Sequence, residues 1–270
     1  MKRICFSCFS GLLLFCGQLF AQAGMTVSPG KMYFTLAPGA TSTQKVSVSN
    51  PNSKDLEVGV SLNDWDYDND GNNQTHEAGT LKTSCADWVQ ILPGSYFTLR
   101  PGEQKELTII LTVPADAKTD IPVHTAMLFL TQLNPGDSKS QNGSPIKVSV
   151  RMGVKLYHSF TQNAEKSLEV LNFIDKNDAK AKELSGVLEL EVRNNGKSWL
   201  ESKIKWELLN TQTGEKQKLP DQESYSLPGD KRFIRQQLPP NMKKGRYNAT
   251  AIINYGNKDE LKIVELEFER

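Results

Sequence analysis

The chain has 270 residues, 38% of them hydrophobic, with 32 Lys and Arg against 31 Asp and Glu for a formal net charge of +1. A balance this even provides no electrostatic footprint for nucleic acid or an anionic membrane surface. The length allows two domains of ordinary size.

Residues 1–23, MKRICFSCFSGLLLFCGQLFAQA, have a basic start at Lys2 and Arg3, an apolar middle from Leu12 to Phe15, and a small-residue site at Ala21-Gln22-Ala23. This is the pattern of a secretory signal peptide cleaved before Gly24, and its apolar run is too short to span a bilayer. Removing it takes two cations and no acid, so +1 becomes −1. It also takes Cys5, Cys8 and Cys16, which leaves Cys85 without an internal disulfide partner and best read as a small buried hydrophobe. The expected mature protein is exported and does not span the membrane.

From Gly24 onward the signal is alternation. The first half offers strands at GKMYF, Lys45–Ser49, Leu56–Leu62, Trp88–Ile91, Tyr96–Leu99, Leu107–Val113, Ala126–Leu133 and Ile146–Tyr157. Turn stretches such as NPNSKD, LRPGEQ and LNPGDSKSQNGSP separate them. Period-two runs place one row of side chains in a core and the other toward water, and short strands at this spacing describe an antiparallel sandwich.

Within this half, DYDNDGNNQTHE at 66–77 fits the calcium-loop template, with Asp66, Asp68, Asp70, the carbonyl of Asn72 and Glu77 in order. Flanking strands exclude the helical form of that site. Two readings remain, a strand-flanked calcium loop and a plain turn of Asp, Asn and Gly.

After a polar link, TQNAEKS, the pattern restarts with strands near Leu168–Phe173, Val187–Val192, Ile204–Leu209, Ser224–Leu227, Phe233–Leu238, Tyr247–Tyr255 and Leu261–Phe268. The charged DKNDAKAKEL reads as a loop or a single turn. The phrase VSVSNPNSK in the first half is echoed by LEVRNNGKS in the second, each a strand running into an Asn-rich turn. The expectation is an all-β chain of two immunoglobulin-like β-sandwich domains in tandem, residues 24–162 and 163–270.

The segment SPIKVSVRMGVKLYHSF at 144–160 resembles the last strand of the N-terminal domain in PapD-like periplasmic pilus chaperones, in which an alternating apolar row leads into K-L-[FY]-[YH]. GKMYFTLAPG, VSVSNPNS, WVQILPGSYFTLRPGEQKELTIIL and AMLFLTQLNP fall in the family's order ahead of it. The resemblance implies a chaperone that binds pilin-like or other exported subunits by donor-strand addition until assembly, with an outer-membrane assembly protein as a further candidate partner. It makes Ile146, Val148 and Val150 the donor residues. It places Lys155 and Lys31 at the cleft positions that hold the subunit's C-terminal carboxylate, Lys31 standing where the family's first strand carries an arginine. The family's charged run after the Ile-Pro turn is absent from Ile121-Pro122-Val123-His124-Thr125-Ala126.

From the residues alone, Ile146, Val148 and Val150 also suit a core row, and Lys31 and Lys155 suit ordinary surface lysines. His76, His124 and His158 show no metal-ligand spacing, and no G-x-S-x-G elbow or phosphate loop occurs, so neither an enzyme nor a cofactor is expected. The rival binding reading is an adhesion module recognising carbohydrate or cell wall through Trp65, Trp88, Trp199 and Trp206.

Overall fold

The computed structural model describes residues 24–139, 142–176, 186–240, 242–258 and 260–270. The signal segment 1–23 and residues 177–184 of the charged stretch DKNDAKAKEL lie outside the described residues. The described residues are all-β apart from one short 3-10 turn at Ala86–Trp88. Among the described residues no helix is long and apolar enough to cross a membrane.

The first sandwich contains β1 (Thr26–Ser28), β2 (Lys31–Thr35), β3 (Thr41–Ser49), β4 (Leu56–Tyr67), β5 (Asn73–His76), β6 (Val89–Leu92), β7 (Tyr96–Leu99), β8 (Gln104–Thr112), β9 (Val123–Gln132), β10 (Gly136–Lys139), β11 (Pro145–Val148) and β12 (Arg151–Ser159). One sheet has the order β1-β3-β8-β6, and the other β2-β12-β9-β4-β5 with β7 also paired to β4. Alternation explains the layering: Val46, Val48, Leu107, Ile109 and Leu111 from one sheet meet Leu56, Val58, Leu128, Leu130, Val154 and Leu156 from the other. Strand β9 is buried on both faces. Ala126, Leu128 and Leu130 enter this core, whereas Val123, Met127 and Phe129 join a separate cluster with Trp65, Tyr67, Tyr157 and Leu227 of the second sandwich.

The run Ile146–Tyr157, read above as one strand, divides at Ser149-Val150. The β9–β12 ladder ends at Thr131 opposite Arg151, and beyond it β10 and β11 form a separate two-stranded ribbon. The turn stretch LNPGDSKSQNGSP therefore contains the whole of β10.

The second sandwich contains β13 (Leu168–Lys176), β14 (Val187–Asn194), β15 (Leu200–Asn210), β16 (Lys216–Ser226), β17 (Lys231–Gln237), β18 (Arg246–Asn254) and β19 (Lys262–Glu269). Its sheets are β13-β14-β17 and β16-β15-β18-β19. Leu188, Leu190, Ile204, Trp206, Ala251 and Ile253 fill the core between them.

The echoed Asn-rich phrases perform the same task in both sandwiches. Buried Asn50 donates from its amide to the carbonyls of Lys54 and Leu99, at 2.8 and 3.0 Å, and its backbone carbonyl accepts from Gly102. Buried Asn194 donates to Ser198 O at 2.9 Å, and its carbonyl accepts from Gly229. Each asparagine satisfies the loose backbone groups of a corner where a strand end meets a Pro-Gly turn.

Candidate functional site

The junction between the sandwiches grows from the parallel ladder of β2 and β12, in which Lys31 lies opposite Lys155 and Tyr33 opposite Tyr157. Period two then sends all four side chains toward the second sandwich, beside Trp65 and Tyr67 of β4. The two lysines named from the sequence are thus cross-strand neighbours.

Lys155 Nζ donates to Tyr67 Oη at 2.8 Å and lies 4.3 Å from the centres of both the Trp65 and Tyr67 rings. Trp65 is fixed by its indole N–H on Ala126 O at 2.9 Å. Burial, then the charges of Lys31 and Arg232, lower the Lys155 ammonium to a pKa of about 8. Lys31 Nζ and Tyr33 Oη both donate to Glu201 Oε1 of β15 at 2.7 Å. Burial alone would raise the Glu201 carboxyl; these two donors hold it below its ordinary value. Tyr33 stacks between Tyr157 and Trp199, with ring centres 5.3 Å apart in each pair. The cleft offers two cations set among aromatic faces, Lys31 neutralised by Glu201 and Lys155 hydrogen-bonded to a phenol.

The donor residues fall on the ribbon and its base. Ile146 and Val148 are 41% and 36% exposed, so neither is a core residue of the first sandwich. Val150 is half-buried and packs against the first core. Because β2 pairs only with residues 155–159, the same side of residues 145–154 is an open strand edge among the described residues.

The stretch 66–77 is the β4–β5 hairpin, and its acidic oxygens diverge. Asp66 meets His76 at 3.0 Å. Asp68 caps its own turn, accepting from the amides of Asp70 and Asn72 at 3.0 and 2.8 Å, and the Asn72 carbonyl accepts from Asp68 N. Asp70 pairs with Arg235 of β17 at 2.7 Å. Among the described residues, no group of three or more His, Cys, Asp or Glu stands in an arrangement that could hold a metal ion. Gly71, at φ +87, supplies the left-handed residue of the turn.

This turn docks on the second sandwich. Phe233 N donates to Asn69 O at 2.8 Å and Arg232 Nη1 to Asp68 O at 3.0 Å. Arg232, 2% exposed, also binds the carbonyl of Tyr225, pairs with Asp230, and lies 4.7 Å from the Tyr67 ring centre. Sequence reading passed over Arg232 and Glu201. Arg232 had one visible mark, a cation at an inward position of an alternating strand. Glu201 had none.

The tryptophans do not form a platform. Trp65 and Trp206 are buried, Trp199 stacks in the cleft, and Trp88 packs on His124 and His158. These two histidines are cross-strand neighbours on β9 and β12, both buried, with Nδ1 of each unpartnered. Cys85 is fully buried, and burial pushes its thiol well above the ordinary range.

The arrangement is that of a tandem β-sandwich protein with a cationic, aromatic-lined cleft at its junction and an open strand edge leading to it. No protein-family model matches the chain, and no curated protein sequence matches it. Among solved structures, a chain from the chaperone–tip adhesin complex of CFA/I fimbriae aligns at 12% identity and a TM-score of 0.48, covering 92% of this chain and 99% of that one. A chain from the CsuC–CsuE chaperone–tip adhesion subunit complex of Acinetobacter baumannii Csu pili aligns at 14% and 0.48, covering 90% and 98%. The E. coli chaperone DraB aligns at 14% and 0.48, covering 90% and 96%.

Proposed function

We propose that this protein is a periplasmic chaperone that captures an exported, β-rich subunit by strand addition and keeps it from aggregating before assembly. The observation that carries the reading is the open edge of residues 145–154, which ends beside Lys31 and Lys155. A strand laid on that edge in the column of β2 runs parallel to β11 and β12 when its C-terminus points at Lys155. Main-chain hydrogen bonds then supply affinity, and the exposed Ile146 and Val148 fill the apolar groove of the incoming subunit. Val150, at the base of the ribbon, is the inner end of this donor row. The subunit's terminal carboxylate is the ligand that the desolvated Lys155 ammonium lacks, with Lys31 beside it. The two sandwiches divide at 162/163 in this reading, and both flank the cleft.

The test is co-purification of the tagged mature chain from its native periplasm, with mass spectrometry of what accompanies it. The expected result is a small exported β-rich subunit in one-to-one ratio, lost on Val148→Asp because a carboxylate cannot enter an apolar groove. Retention of glycan or cell wall without a protein client would overturn the reading.

A further inference from the structure

We propose that Glu201 is a built-in competitor for the carboxylate site, so that capture is an exchange of one carboxylate for another. The inference rests on the strand-capture reading given above and concerns the regulation of that same site.

Glu201 lies at the start of β15 in the second sandwich, yet its Oε1 takes donors from two residues of the first, Lys31 Nζ and Tyr33 Oη, each at 2.7 Å. These are the contacts an incoming carboxylate would make: an ammonium and a phenol on one oxygen, beside the second cation Lys155 across the ladder. The resident pair is open to water, with side-chain exposures of 33% for Lys31 and 44% for Glu201. An ion pair this exposed contributes little to stability and is readily exchanged. Lys31 also lies 4.1 Å from the ring centre of Tyr225, also in the second sandwich, so the ammonium keeps a favourable partner while the carboxylates change places.

The exchange need not separate the sandwiches. At the other end of the junction, the turn 68–72 remains on β17 through Arg232, Phe233 and Arg235, whereas Glu201 bonds to Lys31 and Tyr33. The linker is held on the second sandwich, with Asn195 N on Ser167 O and Lys197 N on Glu165 O. The movement asked of Glu201 is a side-chain rotation away from β2. Capture then favours ligands with a true C-terminal carboxylate, because a neutral terminus cannot displace Glu201 from an ammonium.

The experiment measures binding of an N-acetylated peptide of alternating apolar and polar residues, prepared as the free acid and as the C-terminal amide, to the wild-type mature chain and to Glu201→Gln. The expected result is that the free acid binds Glu201→Gln about two- to fivefold tighter than wild type. The amide should bind both proteins equally and more weakly than the acid. If the wild type prefers the acid but Glu201→Gln binds it no more tightly, the competitor role is overturned and the carboxylate site stands. If both peptide forms gain equally in Glu201→Gln, Glu201 obstructs the cleft by bulk, which also overturns it. If the wild type fails to distinguish acid from amide, the carboxylate site itself fails.

Discussion

Lys31 and Lys155 face each other across the parallel ladder of β2 and β12, and among the described residues only Lys31 of the two forms a salt bridge. Lys155 is held by Tyr67 Oη and two aromatic faces, which support its stem but do not neutralise its charge.

The first prediction concerns pH. Lys155 loses its proton near pH 8 in the folded protein, against 10.5 for an ordinary lysine. Capture of a carboxylate-ended peptide should therefore weaken about tenfold between pH 7 and pH 9, and Lys155→Arg should remove most of that fall. Folding responds with the opposite sign. Between these two pKa values the unfolded chain binds more protons than the folded one, so the Lys155 contribution to stability rises with pH. Titration calorimetry and thermal melts across this range separate the two effects.

The second concerns the ribbon. Val148→Asp should change stability by no more than about 0.5 kcal/mol, because the side chain is exposed outside the first core. Leu128→Ala, at a fully buried position of β9, should cost ~2–5 kcal/mol. Urea unfolding of both variants checks this, and a Val148→Asp cost near that of Leu128→Ala would return Val148 to the core.

The third concerns the docked turn. Arg232→Ala removes the guanidinium beside Asp230, whose carboxyl burial already raises, and should cost ~3 kcal/mol. Asp70→Asn breaks the open pair with Arg235 and should cost no more than about 1 kcal/mol. Denaturant midpoints rank the two, and equal effects would show that the turn is not anchored through Arg232.

The fourth concerns calcium. A site with 100-fold excess of ion over its Kd would add about 2.7 kcal/mol to stability. Asp66, Asp68 and Asp70 are committed to His76, the turn amides and Arg235, so millimolar calcium should leave the melting temperature unchanged. An upward shift abolished by Asp68→Asn would show that the hairpin rearranges around the ion.

The fifth concerns His124 and His158. Burial, then the neighbouring His158, lowers His124 to about 4 against the opposing charge of Asp120, and burial lowers His158 against its hydrogen bond to the Leu36 carbonyl. With folded pKa values below that of the unfolded chain, stability should be intact above pH 6.5 and decline as pH falls toward 4. A His124→Phe, His158→Phe double variant should show a shallower decline in urea midpoints between pH 7 and pH 4.5.

What the sequence revealed follows the range over which each signal acts. Alternation is local, so β7 was read at its observed bounds and six strands of the second sandwich were found, whereas β16, charged and polar over most of Lys216–Ser226, was read only at its last three residues. The partners of a residue are not local. The letters DYDNDGNNQTHE are those of a calcium loop, and only the distant β17 decides that this turn is a docking element. Ile146, Val148 and Val150 look alike in sequence, yet the ladder ends between Val148 and Arg151, which leaves two exposed and one against the core. Lys31 and Lys155 were legible through the family resemblance. Glu201, which meets Lys31 across 170 positions, was not.

The docking of the 68–72 turn has a consequence for sequence drift. Strand β17 reads the backbone carbonyls of Asp68 and Asn69 through Phe233 N and Arg232. Those bonds depend on the path of the chain, which the Asp68 cap and Gly71 set, and not on the other side chains that decorate it. In a library randomised across the turn and at position 232, functional clones should retain Gly71, which permits the path, and Arg232, which recognises it. Position 68 should keep an acceptor side chain that caps the turn, while the acids at 66 and 70 scatter, and with them the likeness to a calcium loop.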